Sequence, residues 1–300
     1  MKIAIIVIIC ILLVLLAALT FKLPELALSG KRQTLEEAMK WQSDHYDTSF
    51  YKDLIKTDYE VKGEGGYVLH VELIQNPNPT SRYMILSHGY SDNRIGSLKY
   101  VPMYLKLGFN CIIYDLRGHG ENEPHIATCG LLEGQDLNML IRDTRERYKD
   151  LTVLGLHGES LGAATSVSSL KYKPDADFVV ADCGFSDIDN VLRGIYRSVH
   201  APSFFADLAD IGSRLRYHYS IKKMRPIDAL EGNKIPILFI HGEDDTFILP
   251  KNSERMAERT IGYKELRLIP KAAHATSILT EPALYEEYVK GFLKNTGADR

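Results

Sequence analysis

Leu151-Thr152-Val153-Leu154-Gly155-Leu156-His157-Gly158-Glu159-Ser160-Leu161-Gly162-Ala163-Ala164 joins an apolar run, a Gly-x-Ser-x-Gly pentapeptide and the start of a helical segment. Leu151–Leu156 reads as a short buried strand, and Leu161–Tyr172 as a helix. A serine between glycines in an ordinary loop carries little meaning. On a tight turn between a strand and a helix it is pushed out at the end of a sheet, where it can act as a nucleophile. The flanking glycines leave room for backbone that must pass close by. Ser160 is therefore the candidate nucleophile.

Outward from this stretch, short apolar runs alternate with helical ones. Tyr67–Ile74, Tyr83–Ser87, Phe109–Asp115, Phe178–Ala181, Ile237–Ile240 and Glu265–Ile269 read as strands. Thr34–Gln42, Ser97–Leu107, Glu133–Tyr148 and Pro282–Leu293 read as helices. Asn76-Pro77-Asn78-Pro79 is a turn, because two prolines cannot donate to a sheet ladder. The alternation predicts an α/β protein with a doubly wound, mostly parallel sheet covered on both faces. Between Ser186 and Ile235 the rhythm breaks. Tyr196, Phe204, Phe205, Arg214, Arg216 and Tyr217 there predict a helical cap inserted over about 186–228.

The 300 residues are 45% hydrophobic and 25% charged, a folded composition with enough chain for one large domain. The net charge is -3 and the Lys and Arg residues are scattered, which excludes the electrostatic footprint of a nucleic-acid binder. The histidines are not clustered at metal-ligand spacings, and no Cys-x-x-Cys pair occurs. Cys10, Cys111, Cys129 and Cys183 read as small apolar fillers.

From Ile3 to Phe21 there is no charge, and Ile, Leu, Val and Ala dominate. Such a run can cross a bilayer as a helix. It predicts a single-pass anchor over residues 1–21 in the cell membrane, a juxtamembrane linker over 22–50 and a main domain over 51–300. A cleaved secretory signal is the competing reading. The run exceeds a usual signal core, and no clear Ala-x-Ala site follows it. Cys10 follows Ile9 and comes too early for a lipoprotein signal. Lys2 flanks one side and Lys22, Lys31 and Arg32 the other, so charge does not choose a side for the main domain.

A serine hydroxyl needs a base. His274, just after the last strand, falls where a Ser…Asp…His order requires it. The base needs a carboxylate to fix its tautomer and stabilise imidazolium. Asp245, Asp244 and Asp182 each follow a strand and are candidates. A developing oxyanion needs backbone donors. Leu161 should supply one N–H, and the loop His88-Gly89-Tyr90 the other, with Tyr90 as donor. His157 and His241 also follow strands and read as hydrogen-bonded structural residues.

These pieces together resemble the α/β-hydrolase superfamily. They are Ser87-His88-Gly89-Tyr90, Tyr114-Asp115-Leu116-Arg117-Gly118-His119-Gly120, His157 to Gly162, Ala181-Asp182-Cys183-Gly184-Phe185, His241-Gly242-Glu243-Asp244-Asp245 and His274. Within the superfamily the sequence is most similar to bacterial membrane-anchored hydrolases related to the Bacillus protein YqkD. Prolyl-oligopeptidase-like and cinnamoyl-esterase-like hydrolases are more distant. The resemblance runs over about Tyr67–Leu293. It implies that the acid is Asp245, four positions after His241, and that Arg117 braces loops near the site. Glu121 departs from the small residue common at that position, which implies a local loop effect.

The expected chemistry is acyl transfer to water from a small ester, thioester or amide, with no metal or organic cofactor. The family resemblance favours an esterase. An acyltransferase using the same three residues, a serine peptidase and a non-catalytic binding scaffold are the alternatives. Beyond the membrane and a small acyl-containing substrate, no partner is implied.

Overall fold

The computed structural model describes residues 2–30 and 32–299, so Lys31 lies outside the described residues. The chain divides into two compact units, Lys31–Ser186 with Arg225–Arg300, and Met1–Gly30 with Asp187–Met224.

The strands are β1 (Lys56–Lys62), β2 (Val68–Ile74), β3 (Arg82–Ser87), β4 (Asn110–Tyr114), β5 (Val153–Glu159), β6 (Phe178–Asp182), β7 (Ile237–Gly242) and β8 (Lys264–Ile269). The principal helices are α1 (Lys2–Leu28), α2 (Leu35–His45), α3 (Val101–Lys106), α4 (Leu131–Arg147), α5 (Leu161–Ser169), α6 (Ile188–Ser198), α7 (Phe205–Tyr217), α8 (Lys251–Arg259) and α9 (Pro282–Thr296).

In the larger unit the strands form one eight-stranded sheet in the order β1-β2-β4-β3-β5-β6-β7-β8. β2 runs antiparallel to β1 and β4, and every other pair is parallel. β4, β6 and β7 are buried at every position, as strands covered on both faces must be. The two-residue period divides their side chains. Met84, Leu86, Ile113, Phe178, Val180 and Ile240 share a core with Tyr104 of α3 and Tyr285, Val289 and Phe292 of α9. The alternate residues Ile85, Ile112, Leu156, Val179 and Phe239 point the other way and are equally buried. So are Leu137 and Leu140 of α4 and Ala163 and Val167 of α5. Each large side chain so buried contributes roughly 1.5–3 kcal/mol.

Three local features differ from the sequence expectation. β1 is a polar edge strand, Lys-Thr-Asp-Tyr-Glu-Val-Lys, with mostly exposed side chains. Edge strands avoid aggregation through such charges, and that erases their apolar signal. The helix expected over Ser97–Leu107 is a 3₁₀ segment, Arg94–Tyr100, followed by α3. Residues 32–50, read as part of a juxtamembrane linker with a helix around Thr34–Gln42, fall in the same compact unit as the sheet. α2 begins with a capping box, in which Thr34 accepts the Glu37 N–H at 3.1 Å and Glu37 accepts the Thr34 N–H at 2.9 Å. Asn93 donates to the carbonyls of Gln33 and Thr34 at 3.1 Å each. The helix expected around Thr34–Gln42 is present, and Ala38 and Gln42 are its fully buried positions.

The smaller unit is helical and takes in Asp187–Met224. It also includes α1, which continues past Phe21 through Pro24 to Leu28. Thr20, Leu23, Pro24 and Leu28 are buried. A Cβ on Gly212 of α7 would run into the Thr20 carbonyl, so glycine lets the two helices touch backbone to backbone. Arg216 then bonds Glu25 at 2.8 Å.

Ala38→Glu tests the place of α2. It puts an unpaired carboxylate at a fully buried position, a cost of several kcal/mol. The urea midpoint should fall steeply, whereas exposed Glu36→Gln should cost less than about 1 kcal/mol. Equal midpoints for the two variants would make α2 a linker after all.

Candidate active site

In a parallel sheet all carboxyl ends lie along one edge, and ligands bind there. Ser160 follows β5, Asp245 follows β7, His274 follows β8 and Tyr90 follows β3, so one edge receives all four. A larger cleft of about 1310 Å³, lined by Arg82, Asn110 and Thr152, opens at the amino ends of β3, β4 and β5. None of the four residues reaches it.

The turn at Ser160 is strained, with φ 54° and ψ -110° for a residue that is not glycine. Close backbone contacts hold it there. A Cβ on Gly158 would collide with the Gly162 carbonyl, and one on Gly162 with the Ser87 carbonyl. The Ser160 N–H donates to the Asp182 carbonyl at 2.8 Å. Helix α5 starts at Leu161, whose N–H is among the first-turn donors that no helical carbonyl can accept.

Ser160 Oγ lies 2.9 Å from His274 Nε2, and His274 Nδ1 lies 2.7 Å from Asp245 Oδ2. The network assigns the imidazole proton to Nδ1, which leaves Nε2 to accept from the serine. Asp245 Oδ1 accepts the N–H groups of Phe247 and Ile248 at 2.9 Å each. His241 Nε2 approaches Asp245 Oδ2 at 3.2 Å and the Ile248 carbonyl at 2.7 Å, and its Nδ1 faces Ser253 Oγ at 2.7 Å. Burial alone would raise the Asp245 carboxyl. Hydrogen bonds from His241 and His274, the charge available on His274 and the Ile248 N–H overcome it and hold the group well below the usual carboxylate range.

The other two acids stand elsewhere. Asp244 is exposed. Asp182 is fully buried, and its carboxylate accepts from Tyr100 at 3.1 Å and Ser277 at 3.3 Å. Burial, then the nearby Glu159 charge, push its carboxyl up to about 6. His157, expected to be structural, meets Tyr104 at 2.7 Å, and burial lowers it to about 3.

The loop after β3 passes beside the serine. A Cβ on Gly89 would lie 3.9 Å from Ser160 Cβ. His119 Nε2 fixes the neighbouring Tyr90 carbonyl at 2.6 Å. A cavity of about 350 Å³ opens over Ser160 and His274, with Trp41, Tyr90, Asp92 and Phe247 in its wall. Arg117 forms a fork on Asp136 at 2.8 and 2.7 Å and binds the Glu64 carbonyl at 2.9 Å, as a brace would. Glu121, the departure in that segment, pairs with Arg94 at 2.5 Å.

The sheet order, the serine turn and the residues gathered at one edge define an α/β hydrolase. No protein-family model matches the chain. It is 31% identical to the uncharacterized protein YqkD of Bacillus subtilis over 276 residues, 88% of each sequence. The chain belongs to this YqkD-related family of α/β hydrolases. It is also 26% identical to the uncharacterized protein YfhR of Escherichia coli O157:H7 over 70% of the chain and 69% of that protein. Among solved structures it resembles the Pyrococcus furiosus esterase Pf2001, with a TM-score of 0.68 and 23% identity over 83% of this chain and 94% of that one. That likeness establishes the fold.

One contributor had no local sequence signal. Lys99 lies within a run that reads as a plain helix, yet its side chain is only 3% exposed. Its ammonium reaches Glu159, beside the serine, at 2.5 Å, and the Ala275 carbonyl, beside the histidine, at 3.1 Å. Tyr100 also donates to Glu159 at 2.6 Å. Burial would lower the Lys99 pKa, and the Glu159 charge raises it instead. Lys99 thus ties the serine turn to the histidine loop. Lys99→Met strands a buried carboxylate and should destabilise the protein by about 3–5 kcal/mol. Lys99→Met/Glu159→Gln should recover much of that loss in urea denaturation. A double variant as unstable as the single one would show that the lysine acts through packing.

Proposed function

We propose that the protein is a serine hydrolase that cleaves a carboxylic ester through an acyl-enzyme intermediate. The carrying observation is the hydrogen-bonded chain Ser160–His274–Asp245, with the serine on a strained turn over a cavity. The name of the Pyrococcus esterase agrees with an ester substrate. The cavity of about 350 Å³ suits a compact acyl group.

In this reading His274 Nε2 takes the Ser160 proton as Oγ attacks the acyl carbon. Asp245 holds Nδ1–H and stabilises the imidazolium that forms. The Leu161 and Tyr90 N–H groups take the developing oxyanion. His274 then passes its proton to the leaving alcohol. It next draws a proton from water, which attacks the acyl-serine, and the collapse returns that proton to Ser160.

Ser160→Ala should abolish labelling by a fluorophosphonate and lower kcat on a p-nitrophenyl ester on the order of 10⁴–10⁶. Asp245→Asn should cost about 10⁴ in kcat through the wrong tautomer. Asp182→Asn and Asp244→Asn should cost far less. Labelling that survives in folded Ser160→Ala would refute the nucleophile, and a comparable loss in folded Asp182→Asn would move the acid to β6.

We further propose that α1 is an uncleaved single-pass anchor. Its best 18-residue window has a mean hydropathy of 3.4 and is unburied. A signal sequence shares that length and composition. The packing of Thr20, Leu23, Pro24 and Leu28 favours retention, because cleavage would strip α7 of its neighbour. The native protein should stay in the membrane fraction through alkaline extraction. Soluble protein with an N-terminus beyond Thr20 would indicate a cleaved signal.

A further inference from the structure

α7 and the residue before it carry Phe204, Leu208, Ile211 and Leu215, in steps of four, three and four. That spacing lines one helix face. Phe204, Ile211 and Leu215 are 49%, 42% and 60% exposed. The opposite face, Ala206, Ala209, Asp210 and Ser213, is buried. An isolated exposed leucine needs no explanation, but a stripe of large apolar residues does.

The place where α7 docks suggests what covers the stripe. α1 has 27 residues, about 40 Å of helix, against a hydrocarbon layer about 30 Å thick. A span that begins at Ile3 therefore leaves the hydrocarbon near Lys22. Gly212 and Arg216 of α7 meet α1 at that level, at Thr20, Pro24, Phe21 and Glu25. Phe21 and Leu26 of α1 are themselves 45% and 65% exposed, so apolar surface continues from the span into the same unit. Arg214 and Arg216 flank Leu215 with 59% and 41% of their side chains exposed; each is ion-paired within the unit, to Asp210 at 2.9 Å and to Glu25 at 2.8 Å, and keeps an exposed side that can face headgroups.

We propose that α7 is a second membrane-contacting element. It lies at the lipid interface, with Phe204, Ile211 and Leu215 among the acyl chains and the two arginines at headgroup level, in the manner of an interfacial helix. This rests on the reading of α1 as a membrane span.

The test uses the full-length protein in phosphatidylcholine vesicles and a fluorophore on single cysteines. Cys10 is exposed in α1 and the other three cysteines are buried, so Cys10 reports the anchor. Ile211→Cys and Leu215→Cys, each with Cys10→Ser, report α7. Fluorescence should be lost to a lipid carrying a nitroxide near its headgroup, and protected from iodide, at both α7 sites. Quenching of Cys10 by the lipid nitroxide with only iodide quenching at α7 would overturn the proposal and leave the anchor intact. Shielding of α7 from both quenchers would overturn it in favour of a protein partner, such as a second copy. Iodide quenching at Cys10 would overturn the anchor and this proposal together.

Discussion

The site depends on one steric constraint, the closeness with which three pieces of backbone pass one another at Ser160. Strand β5 must end, reverse and enter α5 within a residue, while the end of β3 lies against the second glycine of the turn. Only hydrogen can occupy the Cβ positions of Gly158 and Gly162. The serine is forced to φ 54°, a cost of order 1–3 kcal/mol that the surrounding fold must offset. Its N–H is pinned by the Asp182 carbonyl, so β6 holds the turn as well. The buried Lys99–Glu159 pair anchors the neighbouring residue from below. The sheet and its polar floor exist in this form to keep one side chain in an unfavourable conformation.

The same floor explains why carboxylates of identical chemistry differ. Asp182 is surrounded by phenols, a hydroxyl and a second carboxylate, and burial drives it toward the protonated form. Asp245 is buried too, but two backbone N–H groups and two imidazoles face it, so it keeps its charge. Environment, not the carboxyl group itself, sets the charge of each. His241 matters here although it does not reach Ser160. Its side chain closes the far side of Asp245 and leaves one lone-pair direction of Oδ2 for His274.

Much of this was legible in the sequence because strand ends are. Ser160, Asp245 and His274 each follow an apolar run in the order the fold demands, and the structure brings these three together while Asp244 and Asp182 stay apart. Resemblance rather than spacing singled out Asp245. What escaped notice did so for physical reasons. β1 is an edge strand whose charges hide its pairing. The helix over Thr34–Gln42 was legible, but its packing was not, because only Ala38 and Gln42 of α2 are fully buried. Lys99 and Glu159 are 60 positions apart, and nothing local marks a lysine as buried. Only the folded sheet brings them within 2.5 Å.

The smaller unit shows the same limit at longer range. Glu25 and Arg216 meet across a separation of 191 residues, so no window of sequence could pair α1 with α7. The buried residues of α6 and α7 are few and mostly small: Val191, Leu192, Ala206, Ala209 and Gly212. Two short helices with so little apolar surface could not offset their own ordering entropy. The last turns of α1, in which Leu23, Pro24 and Leu28 are buried, belong to the same unit, and Thr20 and Pro24 lie against Gly212 of α7. The N-terminal helix is therefore a structural member of the insertion as well as a hydrophobic segment. Its sequence reflects both duties. An unbroken apolar run precedes Thr20, and beyond it Lys22, Pro24 and Glu25 interrupt the leucines, of which Leu23 and Leu28 are buried.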